Sequence, residues 1–203
     1  AALLWFGWFG FNVGAEFLNG MENAGLITVN TIGATAASVL GWLVIEKLRE
    51  GKATSIGAAS GAVSGLVAIT PACANVTPFW ALVLGAIAGI ASALAVELKY
   101  KLGYDDSLDV VGIHLVAGLI GTLYLGFFAI DTGLFTGGDF GQLLVQSIAA
   151  FGVLFYSFVA ALLIGFAIEK TMGFRVKSED EIAGVDLVVH GEAAYSFGQD
   201  ERV

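Results

Sequence analysis

Long apolar runs separated by short polar stretches organise this chain. Six of them approach the roughly 17–25 residues that a helix needs to cross a hydrocarbon layer. They run from Ala1 to Leu18, Ala24 to Ile45, Ala53 to Thr70 (closed by Pro71), Pro78 to Leu98, Leu108 to Ile130 and Gly141 to Ile168. Backbone polar groups in hydrocarbon need internal partners, which leaves helices or closed barrels. The runs are about twice as long as the roughly 9–11 residues of a barrel strand, and they show no sustained alternation. The pattern predicts an all-α polytopic membrane protein with six transmembrane helices.

The basic residues give the spans a direction. Lys47, Arg49 and Lys52 lie between the second and third runs, Lys99 and Lys101 between the fourth and fifth, and Lys170, Arg175 and Lys177 after the sixth. The other three connections hold no Lys or Arg and carry only Glu16, Glu22, Asp131 and Asp139. By the positive-inside rule the basic loops and the C-terminus are expected in the cytoplasm. The sixth run would extend about 42 Å as a helix, against a hydrocarbon thickness of about 30 Å, and a steep tilt is expected. From Glu169 onward the composition turns charged. The expected organisation is a transmembrane region over 1–168 and a solvated cytoplasmic tail over 169–203.

Small residues recur at four-residue spacing inside the runs: Gly57, Gly61 and Gly65 in the third, Gly85 and Gly89 in the fourth, Ala117 and Gly121 in the fifth. Such faces let helix backbones approach closely, within the chain or, as the alternative, between two copies.

Composition narrows the function. Of the 203 residues, 57% are apolar and 13% charged, against about 25% charged in a soluble domain. That excludes a water-soluble globule, and the high apolar content excludes disorder over most of the length. A net charge of −9 counts against a nucleic-acid partner, because a phosphate backbone needs a basic face. The single Cys73 offers neither a disulfide nor a thiolate metal site. No Walker motif, paired-histidine metal spacing or G-x-S-x-G elbow occurs, so no enzyme activity, cofactor or metal is expected. The chain opens inside an apolar run with no Met, basic flank or cleavage site, so it is expected to be a piece of something longer.

A few polar and aromatic residues stand out inside the spans. His114 is the one histidine at membrane depth, where ionisable groups are costly and face a cavity or the bundle interior. Desolvation disfavours its charged form, and a neutral imidazole offers one donor and one acceptor. Such a group can pass a proton or bind a small polar solute; the alternative is a packed histidine bonded to a backbone carbonyl. Asp105, Asp106 and Asp109 precede it, and Asp106 with Asp109 resembles a capping box at a helix N-terminus. The alternative for Asp109 is a buried carboxylate that fixes packing or biases a cation path. The first run clusters Trp5, Phe6, Trp8, Phe9 and Phe11 before Asn12. Trp8, Phe11 and Ala15 share one helical face, able to anchor at the interface, attract an ammonium-type cation or form a dry constriction. Thr70-Pro71-Ala72-Cys73 reads as a loop after the third helix, since proline cannot continue it.

These residues carry a family resemblance. Trp8-Phe9-Gly10-Phe11-Asn12-Val13-Gly14 resembles the sixth helix of Amt-type ammonium transporters in the Amt/Rh family. Thr70-Pro71-Ala72-Cys73 is similar to their TPAC loop, and the segment from Asp105 to His114 to their DDxxDVxGxH stretch. Gly184-Val185-Asp186, His190-Gly191-Glu192 and Ala194-Tyr195 resemble the GxDxxxHGExAY motif of their cytoplasmic tail. The resemblance implies helices six to eleven of an eleven-helix inverted-repeat fold.

It further implies that His114 is the second histidine of a pore-lining pair, that Trp8 lies beside that pair, and that Phe11 is the inner member of a phenylalanine gate. Asp109 would be a structural aspartate, and Gly184, Asp186, His190, Gly191, Glu192 and Tyr195 part of a regulatory tail. The implied activity is transport of ammonium or ammonia, with deprotonation at the aromatic gate and conduction assisted by histidine. A homotrimer in the plasma or inner membrane, surrounded by lipid, is implied, with a PII-type signal protein at the cytoplasmic face. The first histidine, the outer phenylalanine, the external tryptophan and the first-half aspartate of the family would lie in an N-terminal half outside this sequence. Where many members carry a serine at the outer mouth, this chain has Ala15 followed by Glu16, which either weakens ammonium recruitment or replaces the hydroxyl by charge. The alternative functions are an ammonium sensor signalling through its tail and an unrelated water or solute channel. Absence of paired Asn-Pro-Ala motifs counts against the channel.

Overall fold

A computed structural model of the chain describes residues 1–192, and every regular element among them is helical. Helix α1 (Ala2–Ala15) ends in a 3-10 turn at Glu16–Asn19; α2 spans Ala24–Glu50, α3 Ser55–Ile69, α4 Pro78–Ala95 and α5 Leu98–Leu102. A π turn at Val111–Leu115 leads into α6 (Val116–Phe128), and α7 covers Phe140–Thr171. A short α8 (Ser178–Ala183) and a second π turn at Asp186–His190 follow.

The six apolar runs all carry helix, but their ends shift for physical reasons. The stretches Ala24–Glu50, Pro78–Leu102, Val111–Phe128 and Phe140–Thr171 are long and apolar enough to cross a membrane. At 14 and 15 residues, α1 and α3 fall short of the ~17 that a span needs. The first helix stops at Ala15 because the Glu16 carboxylate gathers the following loop around itself. The third stops at Ile69, with Pro71 unable to continue it. Thr54 caps the start of α3, its hydroxyl accepting the Gly57 N–H at 2.9 Å. Pro78 opens α4 at the first helical position. At the end of α2, Gly51 takes φ +80°, a conformation that glycine adopts without steric cost.

The chain forms two compact units, Ala1–Gly152 and a second from Val153 onward. In the first, α2 is the central helix, packed on both α3 and α4. The small-residue faces explain that closeness. An added Cβ at Gly85 would overlap the Ala34 backbone, and one at Gly89 the Ser38 backbone. At Gly65 it would lie 2.6 Å from the Ser38 Cβ and 2.8 Å from the Thr35 Cα. Helix α6 meets α3 the same way, with Gly121 against the Ala68 backbone. Ile27, Leu66, Ile69, Val76 and Leu84 fill the space between, and Thr31, Thr35, Ser38, Ser64 and Ser92 are buried with them. The Ser38 hydroxyl donates to the Gly61 carbonyl at 2.7 Å, and Thr35 donates to Thr31 O at 2.6 Å. Such bonds satisfy buried hydroxyls in an apolar medium; the Ser92 hydroxyl has no partner among the described residues. In the second unit, the Glu169 carboxylate accepts the Phe174 N–H at 2.9 Å. The Lys170 ammonium lies 5.5 Å from the Phe166 ring centre.

Candidate functional site

Helix α1 presents its aromatic face through a polar anchor. The Trp8 indole N–H donates to the Thr70 hydroxyl at 2.7 Å. Phe11, one turn on, meets Trp8 edge-on with ring centres 5.9 Å apart, the arrangement favoured by ring quadrupoles. Its own ring is 71% exposed. One turn after Trp8, Asn12 is buried, and its amide donates to the Thr31 hydroxyl at 3.1 Å, bolting α1 to α2. The Asn12 side-chain carbonyl has no hydrogen-bond partner among the described residues.

His114 lies in the π turn that opens α6. This turn carries one residue more per hydrogen-bonded loop than an α-helix, and such turns recur at functional sites. The imidazole has no hydrogen-bond partner among the described residues and is exposed to an open cleft of about 390 Å³. Leu4, Ser55, Ile56, Val63 and Ile113 line that cleft with it. Leu4, Trp8 and Phe11 fall four and three positions apart, so they share one face of α1. The face bearing the aromatic pair therefore continues into the cleft that holds His114. The ring is neither wedged in the core nor bonded to a carbonyl.

Asp106 and Asp109 divide their work. The two carboxylate oxygens of Asp106 accept the N–H groups of Val110 at 2.8 Å and Val111 at 2.9 Å, satisfying amides that a helix start leaves free. Asp109 instead takes φ +57° and turns its carboxylate to Lys99 at 2.6 Å. The Lys99 ammonium also donates to the Asp106 carbonyl at 2.9 Å. A reciprocal capping box is thus replaced by one cap and one ion pair, because the left-handed residue aims Asp109 away from the helix amides.

At the other end of α1, Ala15 is exposed, while Glu16 is 4% exposed. Its carboxylate accepts the Asn23 N–H at 3.2 Å, the Asn23 amide at 2.8 Å and the Asn19 amide at 3.4 Å. Burial opposes ionisation here, but the hydrogen bonds from Asn23 and Asn19 outweigh it and hold the carboxyl below the usual range. The geometry gives Glu16 the task of closing the 16–23 loop.

In the tail segment, Gly184 and Gly191 take φ +100° and +70° on either side of the turn that carries Asp186 and His190. The Glu192 N–H donates to the Asp186 carbonyl at 3.2 Å. Ala194 and Tyr195 lie outside the described residues.

Two positioning groups escape sequence inspection, the Thr70 hydroxyl and Asn30. The fully buried Asn30 amide donates to the carbonyls of Cys73 at 2.9 Å and Val76 at 2.7 Å. The available signal was the polar series Asn30, Thr31, Thr35 and Ser38 at helical spacing within an otherwise apolar run.

With this geometry in place, comparison with known proteins is direct. The model of the Ammonium Transporter Family matches residues 1–195. An ammonium transporter of Mycobacterium tuberculosis (strain H37Rv) is 50% identical over 210 residues, covering 97% of this chain and 44% of that protein. The crystal structure of Candida albicans Mep2 superposes with a TM-score of 0.75 at 30% identity, over 87% of this chain and 42% of that one. A solved sensor Amt protein gives a TM-score of 0.78 at 29% identity, over 91% and 46% of the two chains. The chain spans about half the length of the curated relatives it matches.

Proposed function

The chain belongs to the ammonium transporter family, and from that premise we propose that it forms one wall of a pathway carrying ammonium or ammonia across a cell membrane. The observation that carries this reading is the His114 imidazole, without a hydrogen-bond partner among the described residues and facing an open cleft, on the same side as the α1 face with Trp8 and Phe11. A related second half of the polypeptide would supply the opposite wall, as inverted repeats do in secondary transporters.

An intact ammonium ion at the centre of hydrocarbon is expensive. A dry, aromatic-lined passage favours splitting it into ammonia and a proton, which recombine on the far side. Phe11 and Trp8 supply the apolar constriction. The ring of His114 then offers ammonia one donor or one acceptor and can relay the proton through its second nitrogen. In this reading Asp106 and Asp109 are structural: the first caps the turn that bears His114, and the second locks it to Lys99. The external site is built without Glu16, whose carboxylate is held by Asn19 and Asn23.

The basic loops and the tail lie in the cytoplasm in this proposal, following the distribution of Lys and Arg. Assembly as a homotrimer and engagement of a PII-type protein by the segment from Gly184 to Tyr195 belong to the same proposal. A second reading, a sensor that signals through its tail, draws support from the likeness to the sensor Amt protein. The test is His114→Ala in the full-length protein, followed by ammonium-driven current at matched membrane abundance. The current is expected to be lost; wild-type current would overturn the role.

A further inference from the structure

Thr70 closes α3, and its hydroxyl is committed at both ends. A hydroxyl has one proton and two lone pairs, and an indole has a single N–H. The Thr70 proton goes to the Leu66 carbonyl at 2.7 Å, while a lone pair receives the Trp8 N–H at 2.7 Å. The only hydrogen bond that the Trp8 indole can donate is therefore fixed by a residue 62 positions along the chain.

The segment that bears Thr70 is itself held in place. From α2, Asn30 donates both amide hydrogens to the carbonyls of Cys73 and Val76. From beyond α6, the Ile130 N–H donates to the Asn75 carbonyl at 2.8 Å. Ala72 and Val76 are fully buried. A loop clamped from α2 and from the turn after α6 places the Thr70 oxygen at one point, and a single N–H···O bond then sets the tilt of a large flat ring.

We propose that Thr70 is a positioning residue for Trp8, acting on the selectivity of the pathway through the indole and making no contact with the transported solute. This rests on reading Trp8 as a pore-lining group. With its N–H anchored, the ring presents one edge to Phe11 and one width of passage beside it. Without the anchor the ring turns about its χ2 bond, and discrimination between ammonium and a larger alkylammonium changes.

The experiment compares transport of ammonium and methylammonium by the full-length protein, as a ratio at matched membrane abundance. A merely structural role would lower both rates together and leave that ratio unmoved. Loss of one hydrogen bond is expected to shift the ratio by about 3- to 10-fold in Thr70→Val, with Thr70→Ala as the second variant if valine crowds the site. Thr70→Ser keeps the hydroxyl and is expected to keep the wild-type ratio. In a Trp8→Phe background, which has no N–H, Thr70→Val is expected to add nothing. An undiminished Thr70→Val effect in that background, or an unchanged ratio in Thr70→Val alone, overturns the proposal while the pore reading of Trp8 stands. If Trp8→Phe alone transports as the wild type does, the pore reading fails and takes the proposal with it.

Discussion

The Lys99 ammonium lies 2.6 Å from the Asp109 carboxylate, at the one non-glycine residue between α5 and α6 whose φ is positive. An aspartate tolerates that conformation better than most side chains, so a single residue both reverses the chain and provides the charge that holds it. The pair sits immediately before the turn that carries His114.

Asp109→Asn separates those two tasks, because asparagine keeps the left-handed preference and loses the charge. The Lys99 ammonium would keep the Asp106 carbonyl and the Tyr100 ring, and would face a neutral amide oxygen where the carboxylate stood. The melting temperature of the purified full-length protein is expected to fall by about 2–4 °C, measured by tryptophan fluorescence on heating. An unchanged melting temperature would mean that the backbone geometry, and not the ion pair, secures this corner.

The close approach of α2 and α4 depends on glycine. Gly85→Ala would drive a methyl group into the Ala34 backbone, where neither helix has a flexible side chain to yield. Overpacking of this kind costs about 1–3 kcal/mol. Gly25→Ala, with nothing within 4 Å of the added Cβ, is expected to be tolerated. Folded yield of the two variants in detergent, by size-exclusion chromatography, distinguishes them; equal yields would sink the packing argument.

The Glu16 carboxyl offers a test by pH. Its pKa is lowered in the folded protein, so its contribution to stability is complete above the unfolded value. That contribution is lost only as pH falls through the lower folded value. No titration of Glu16 is therefore expected between pH 5 and 8, a range in which a transporter operates. Infrared difference spectra of wild type against Glu16→Gln check this: a protonated-carboxyl band that grows in at pH 5 or above contradicts the assignment.

How much of this was legible in the sequence depends on whether the signal was periodic. The six helical runs, the shared face of Trp8 and Phe11 and the small-residue faces at Gly57–Gly65 and Gly85–Gly89 follow from spacing alone, and the helices occupy the expected runs. The ends were less legible. Glu16 reads as an acid of the first connection that could replace a lost hydroxyl by its charge, yet the asparagines at 19 and 23 draw it into the loop and stop α1 early. Asp109 reads as half of a capping box because its separation from Asp106 is right, but aspartate is at home both in a cap and in the left-handed backbone that breaks the box, so residue type does not separate the two. Lys99 as its partner lies across an irregular segment where spacing carries no meaning. The Thr70–Trp8 bond joins residues in different helices, and a single sequence holds no record of such contacts. The π turn beneath His114 has the same composition as an ordinary helical turn.

That turn supplies the last prediction. Gly112, two residues before His114, packs so closely on α4 that an added Cβ would lie 2.6 Å from the Val96 Cγ1 and 2.8 Å from the Val96 N. Gly112→Ala must push the turn away from α4, and His114 moves with it although its own side chain is untouched. Displacements of about 1 Å at a reacting group can cost roughly 100-fold in rate. Ammonium transport by Gly112→Ala is therefore expected to fall at least tenfold at matched membrane abundance. The second change Val96→Ala removes the Cγ1 contact but leaves the backbone contact. It is expected to restore part of the activity, and less than the whole. Full activity in Gly112→Ala alone would show that the position of the imidazole does not limit transport, and a rescue by Val96→Ala equal to wild type would show that the α4 backbone is free to yield.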